Sequence, residues 1–456
     1  MINSISNITI SDMPLSWRHI RILSVASLGQ FIGTALATLI GIVIPMIQLV
    51  IHPELSSIEQ GILACCSLVG IMVSSPIVGK LSDDYGYLFF FRLSPTIIFI
   101  ASLIAFFFGD NRIILAVSFF LMGCGIGGDY CLDSDYISEL MPKKWKLFMV
   151  GVAKSTAALG TIVICFVCFF LLKDWNDPEM WNRLMLLMAI ISLIMILVRI
   201  PFSESPKWLL LKGEKQKALK AVHYFLGDNV QLDDDDKVEN VDVERVSWKY
   251  MFKGENLKKV IFSGVPWACE GFGVYGIGTF MPILLLSLGI HPESAGKYEQ
   301  IIWSVERSGY VNIFVLLGFV IGLLLVRKFN HVKTQTMGFI FSALGILIMI
   351  IAYNNHLAAW IALGGFMMFE LFLNLGPHLL TFILPPQIYE INDRSTGTGI
   401  ADAFGKLGAV IGVLAVPILL HYGGADTVLI TTMIITLIGG IVTYYYGKDI
   451  LPWDKK

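Results

Sequence analysis

The chain is expected to fold as an all-α membrane protein, with twelve transmembrane helices in two six-helix halves. Three observations predict this. Of 456 residues, 55% are hydrophobic and only 15% charged, and the mean hydropathy is +0.72, whereas soluble domains are about 25% charged. Apolar stretches of about 20 residues, the length that crosses roughly 30 Å of hydrocarbon, recur along the whole chain. One long polar stretch divides them six and six. The composition excludes most water-soluble enzymes and scaffolds, and a net charge of −2 provides no field for attracting nucleic acid.

The first twenty residues are polar, with Asn3, Ser4, Asp12 and Arg18 among them. They lack a basic start followed by a short apolar core, so no cleaved signal is expected. Spans one to six are expected at 22–50, 59–79, 93–109, 112–140, 147–172 and 181–201. Spans seven to twelve are expected at 258–288, 308–327, 335–353, 357–386, 396–421 and 425–447. The domains are then an N-terminal bundle, 1–201, a linker, 202–257, and a C-terminal bundle, 258–456. The linker holds nine Lys/Arg and eleven Asp/Glu. Its segment 207–219 suits short amphipathic helices on the membrane surface, and Asp233-Asp234-Asp235-Asp236-Lys237 reads as a solvated, self-repelling stretch.

Lys/Arg bias orients the chain. With both termini in the cytoplasm, 26 of the 33 Lys/Arg lie on that side, five lie outside (Arg112, Lys173, Arg183, Lys297, Arg307) and two, Lys154 and Lys406, lie inside spans. Arg199 counts here as a charge at a cytoplasmic helix end. The seven cysteines all sit in apolar runs, where free cysteine behaves as a small apolar residue. Cys165-x-x-Cys168 has no nearby His or Cys partner, so no metal site is expected.

After span two, Gly79-Lys80-Leu81-Ser82-Asp83-Asp84-Tyr85-Gly86 resembles the loop signature of the major facilitator superfamily. Asp84 and Tyr87-Leu88 stand where that signature is basic, and Arg92 lies close enough to replace the missing charge. Gly125-Ile126-Gly127-Gly128-Asp129-Tyr130, with Ser138-Glu139, resembles the fourth-span signature of proton-coupled phosphate symporters. Ser203-Glu204-Ser205-Pro206-Lys207-Trp208 resembles the element after span six in sugar porters. Asn374-Leu375-Gly376-Pro377-His378 and Arg394-Ser395-Thr396 through Gly405-Lys406-Leu407-Gly408-Ala409 resemble the tenth and eleventh spans of phosphate symporters. The resemblance implies the major facilitator fold. It also marks Asp129 for proton coupling, Lys406 for substrate binding, and Trp267 and Tyr275 as matches in span seven. The departures are specific. Gly29 to Ala35 contains no acid where the symporters carry a span-one aspartate. Gly271 fills their span-seven Asp position with Glu270 beside it, and His378 replaces their Asn.

A charge at mid-bilayer costs at least about 2.5–3.5 kcal/mol, so each buried charge is a candidate. Asp129 and Asp133 lie about 40° apart on one helix face and are expected to share a proton, or to be satisfied inside the bundle; Tyr136 flanks them. Asp135 and Glu139 form a second pair, nearer the cytoplasm. Lys406 sits roughly 15 Å into span eleven, one turn from Asp402. Lys154 either snorkels or pairs with Asp129 or Asp133. Glu270 and Tyr275 point about 140° apart on an ideal helix and need local unwinding to converge. Glu370, Asn374 and His378 descend span ten at one-turn intervals, and Gly376-Pro377 is expected to break that helix.

The function expected is secondary active transport by alternating access. The cargo class expected is a small polar anion such as phosphate or a small carboxylate, symported with protons. The other readings are an organic cation, zwitterion or sugar carrier, and a membrane sensor that transports nothing. Proton-coupling candidates are Asp129, Asp133, Glu270 and Glu370. Substrate-binding candidates are Tyr130, Lys154, Trp267, Tyr275, Asn374, His378 and Lys406, and gating candidates are Asp83, Arg92, Glu139 and Arg394. No P-loop, H-E-x-x-H or G-x-S-x-G turn is present, so neither an enzyme, a cofactor nor an ATP-driven pump is expected. Partners are the solute, protons and the lipid bilayer, with no nucleic acid, and the chain is expected as a monomer.

Overall fold

The computed structural model describes residues 8–51, 54–231, 248–289, 295–326, 328–389 and 394–451. The run Asp233–Lys237 lies outside them. The twelve expected spans are present as helices. Span one runs Trp17–Ala26 and Leu28–Val50, and spans two to six run Ser57–Tyr85, Tyr87–Phe108, Arg112–Leu140, Lys146–Trp175 and Trp181–Arg199. Spans eight and nine run Lys297–Val326 and His331–Asn354. Spans eleven and twelve share one stretch, Arg394–Ile450, divided at Gly424, whose φ of 66° and ψ of −172° is a conformation open to glycine and turns the chain back. Polar residues start several helices. Asn111 accepts from the amides of Ile113 and Ile114, Asn330 accepts from Lys333, and Ser56 with Glu59 closes a reciprocal cap on span two.

Two spans are interrupted where glycine and proline predict it. Span seven is α-helical over Gly254–Gly271, π-helical over Phe272–Ile277 and resumes at Met281–Ser287. Span ten breaks at Gly376, between Ala359–Leu375 and Pro377–Ile383. Irregular backbone at membrane depth is tolerated only where protein or a polar cavity covers it, which makes both breaks markers of a working region.

The linker departs from expectation. Of its helices, Pro206–Leu211 and Lys215–Leu226, the second has much of its apolar face covered by protein. Val222, Phe225 and Leu226 join one buried cluster with Leu23, Phe91, Tyr136 and Phe202. Residues Ile8–Thr9 pair in parallel with Val230–Gln231, and Arg18 donates to the Leu226 carbonyl. Protein competes with the bilayer for that apolar face, and the aromatic pocket wins.

The chain forms two compact units that cut across the six-and-six order. One holds 1–34, 69–160 and 185–242; the other holds 35–68, 161–184 and 243–456. In the first, spans one and five are stapled by Thr34 donating to the Ala157 carbonyl at 2.6 Å and Thr156 donating to the Ser27 carbonyl at 3.2 Å. In the second, Tyr298 of span eight donates to the Leu172 carbonyl of span five at 2.9 Å, and Phe166 meets Tyr310 edge-on at 5.4 Å. Spans seven and eleven approach backbone to backbone. A Cβ at Gly408 would overlap the Ala268 carbonyl, and one at Gly271 would overlap that of Gly405. In lipid, where burial gives no hydrophobic gain between helices, such close contact is what holds them together.

Gly408→Ala is therefore expected to lower the melting temperature in detergent, overpacking costing about 1–3 kcal/mol. Gly399→Ala, which meets nothing within 4 Å, is the control. Equal melting of the two variants contradicts this account.

Candidate functional site

Among the described residues, each compact unit contains a buried constellation of charged side chains. In the first unit, spans four and six carry it. Arg199 Nη1 lies 2.6 Å from Asp129 Oδ1 and its Nη2 lies 3.3 Å from Asp133 Oδ1. Nη1 also donates to the Phe91 carbonyl at 2.8 Å, and the guanidinium carbon stands 3.7 Å from the centre of the Phe91 ring. All three charged side chains are at most 1% exposed. The two aspartates thus share an arginine, which sequence reasoning had assigned to a helix end. The signal was available as depth. Spans four and six run in the same direction; Asp129 follows Arg112 by about as many residues as Arg199 follows Trp181, so at 1.5 Å per residue the two stand level.

Span one supplies space, not charge. A Cβ at Gly29 would come within 2.7 Å of the Asp129 Cβ and overlap the Asp133 carboxylate. Beside it Gln30 accepts from Lys154 Nζ at 3.1 Å, and the ammonium stands 5.2 Å from the Tyr130 ring centre. Lys154 is therefore held by span one and an aromatic face.

At the linker side of this unit, Glu204 Oε1 accepts from the amides of Tyr87 at 2.9 Å and Leu88 at 3.0 Å, a charge at the positive end of span three. Gly86, at φ 101°, precedes them; a Cβ there would lie 2.5 Å from Glu204 Oε2. Arg92 donates to the carbonyls of Ile200 and Phe202, Ser205 Oγ donates to Glu139, and Tyr136 Oη donates to the Ser203 carbonyl at 3.1 Å. Arg92 and Glu139 thus fasten the start of the linker to spans three, four and six. The other two gating candidates, Asp83 and Arg394, and Asp135, have side chains outside those described. Glu204 was missed as a cap, although it lies inside the matched Ser-Glu-Ser-Pro element.

The second unit's constellation joins spans seven, ten and eleven. Glu270 Oε1 and His378 Nδ1 are 2.7 Å apart, with Glu270 2% and His378 16% exposed. His378 meets Phe319 edge-on at 4.9 Å. One turn from His378 along span ten, Asn374 Nδ2 donates to Glu370 Oε2 at 3.1 Å and to the Glu370 carbonyl at 2.8 Å, and both residues are buried. Lys406 Nζ stands 5.9 Å from the Tyr275 ring centre. The π-helical turn bonds residues five apart, which brings position 275 back toward the face of 270. Trp267 is 6% exposed and packs edge-on to Phe382 at 4.8 Å, over the bare backbone of Gly405; its place is in the core. Among the described residues, no group of three or more His, Cys, Asp or Glu is arranged to hold a metal.

Two interrupted helices, buried charges in each unit and helices spanning the bilayer are the parts of a carrier. The family model for sugar (and other) transporters matches residues 11–447. The chain belongs to that family of the major facilitator superfamily. It is 24% identical over 444 residues to the inner membrane metabolite transport protein YgcS of Escherichia coli, covering 97% of this chain and 94% of that one. It is 23% identical to the repressible high-affinity phosphate permease of Neurospora crassa, covering 88% and 77%. A partially occluded inward-open structure of the xylose transporter XylE from E. coli superposes with a TM-score of 0.74 at 16% identity, covering 95% and 99%. The protein is a multi-pass secondary transporter and not an enzyme.

Removing Arg199 leaves two carboxylates buried without it, and breaking such a pair costs about 3–5 kcal/mol. Arg199→Met is expected to reduce the yield of folded protein sharply. Adding Asp129→Asn and Asp133→Asn is expected to restore much of it, read as monodisperse protein by size-exclusion chromatography. A single variant that folds like wild type overturns the assignment.

Proposed function

We propose that the protein is a proton-coupled symporter of a small anion, phosphate or a small carboxylate, working by alternating access with its linker and both termini in the cytoplasm. The observation that carries this is a lysine at membrane depth in each unit, Lys154 over Tyr130 and Lys406 over Tyr275. An ammonium held against an aromatic face where the dielectric is low attracts an anion far more strongly than in water. Tyr130, Tyr275, Asn374 and His378 are the polar groups proposed to orient the solute. Asp129, Asp133, Glu270 and Glu370 are the acids available to couple protons. Arg92 and Glu139, with Asp83 and Arg394, are proposed as the linker-side gate. The similarity to a phosphate permease supports the anion. A sugar or organic cation is the second reading, favoured by the buried Glu370–Asn374 pair, which suits a hydroxyl or ammonium group.

Labelled phosphate is expected to accumulate in proteoliposomes under an inward proton gradient. Lys406→Ala and Lys154→Ala are each expected to lower that uptake about tenfold or more, the loss of a charged hydrogen bond of about 1.5–3 kcal/mol. No accumulation by folded wild type excludes phosphate, and small carboxylates, sugars and organic cations are then compared in the same vesicles.

A further inference from the structure

We propose that Gln30 of span one donates a hydrogen bond to the transported anion, and that with Lys154 and Tyr130 it forms an oxyanion subsite inside the first unit; this deepens, and rests on, the anion reading above. Three hydroxyls on this part of span one, those of Ser24, Ser27 and Thr34, bond the backbone carbonyls of Ile20, Leu23 and Ala157. Such bonds satisfy them within the scaffold. Gln30 is different. It is 3% exposed, its Oε1 accepts from Lys154 Nζ at 3.1 Å, and its Nε2 is buried with no hydrogen-bond partner among the described residues. A buried donor left unpaired is destabilising, so this amide needs a group to answer it.

Chemistry fixes which way the amide faces. An ammonium has three donors and no acceptor, so it takes the amide oxygen, and the NH2 group is the one left over. Two N–H donors of one side chain therefore stand beside a positive charge. The Tyr130 phenol belongs to the same place. Its ring centre lies 5.2 Å from Lys154 Nζ, and its hydroxyl lies against Gly33, where an added Cβ would come within 2.5 Å of it. Gly33 is about one turn from Gln30 on span one. Spans one, four and five thus supply an amide, a phenol and an ammonium, each able to donate. What such a group of side chains recognises is an acceptor with negative charge: an oxygen of a phosphate or carboxylate, taking bonds from the ammonium and the amide together. An organic cation offers these donors nothing.

The neutrality of Gln30 matters. A carboxylate at position 30 would hold Lys154 but would also neutralise it. The amide orients the lysine and leaves its charge for the solute. The unit's two aspartates are engaged by Arg199, which lies 2.6 Å from Asp129 and 3.3 Å from Asp133. Nearby glycines set the reach of the amide. Gly29 lies against the side chains of Asp129 and Asp133, and Gly33 lies against Tyr130, so a larger residue at either position would push span one away from span four. The depth and facing of Gln30 follow from that close contact.

The test is solute binding to the purified full-length protein in detergent, read as the shift in melting temperature and as the Kd of the solute that produces it. Phosphate, acetate, glucose and choline are compared. Wild type is expected to be stabilised by one or both of the anions. Gln30→Met, which keeps the length of the side chain and removes both amide groups, is expected to raise the Kd of that anion about tenfold or more, as the loss of a hydrogen bond to a charged group does. Gln30→Glu is the second variant, and it decides if Gln30→Met does not fold. Its carboxylate still accepts from Lys154, so a glutamine that only holds the lysine predicts binding close to wild type, whereas the subsite predicts a loss at least as large as that in Gln30→Met. An anion that binds either variant as it binds wild type overturns the subsite and leaves the anion reading standing. If glucose alone stabilises wild type, the anion reading fails; loss of the glucose response in Gln30→Met then upholds Gln30 as the donor to the solute, and its retention overturns it. If choline alone, or no solute, stabilises wild type, the subsite and the anion reading fall together.

Discussion

Water does not reach the middle of a bilayer, so every charge carried there must be answered by another group of the protein. This constraint organises the molecule. It explains why Arg199 is clasped by Asp129, Asp133, the Phe91 carbonyl and the Phe91 ring at once: a guanidinium presents five donors in a rigid fork, and a dry site has to satisfy them locally. It explains why Lys154 reaches a glutamine and a tyrosine face. It also explains why Asn374 turns both onto the Glu370 side chain and back to its own helix. The backbone obeys the same rule. Helices satisfy themselves, and the two that are interrupted, seven and ten, meet each other at Glu270 and His378.

Much of this was legible in the residues. Span number and the breaks at 271–278 and 376–377 follow from hydropathy and from the chemistry of glycine and proline, which act locally. Candidate charges were legible for the same reason, because a lone ionisable residue in an apolar run stands out. Their pairing was not legible. Arg199 closes an apolar helix and looks like a charge that ends in headgroups; only its level against Asp129 on a parallel neighbour shows otherwise. The protein cover on the linker helix Lys215–Leu226 was not legible for a related reason. An amphipathic face does not say whether lipid or protein covers it, and here the Phe202, Tyr136 and Phe225 rings form a better partner than acyl chains. Trp267 is a motif position whose ring lies, in space, over the bare backbone of Gly405.

The small residues connect packing to function. Where Gly408 meets Ala268 and Gly271 meets Gly405, spans seven and eleven touch through backbone, so the position of Lys406 is tied closely to that of Glu270. The π-helical turn at Phe272–Ile277 begins directly after the contact at Gly271. A wider helical turn leaves carbonyls less firmly bonded than in an α-helix, and such a place is where a span can flex without losing its neighbour.

Glycine at position 29 is best understood in the same terms. An acid there would collide with Asp129 and Asp133 and add a third negative charge to a cluster whose guanidinium, that of Arg199, is already shared. Its absence is what the crowding on span four requires. The second unit offers different surroundings, since span twelve brings no arginine and span ten brings a histidine. The two units thus arrange buried charge differently, two aspartates around one arginine in the first and an acid beside a histidine in the second.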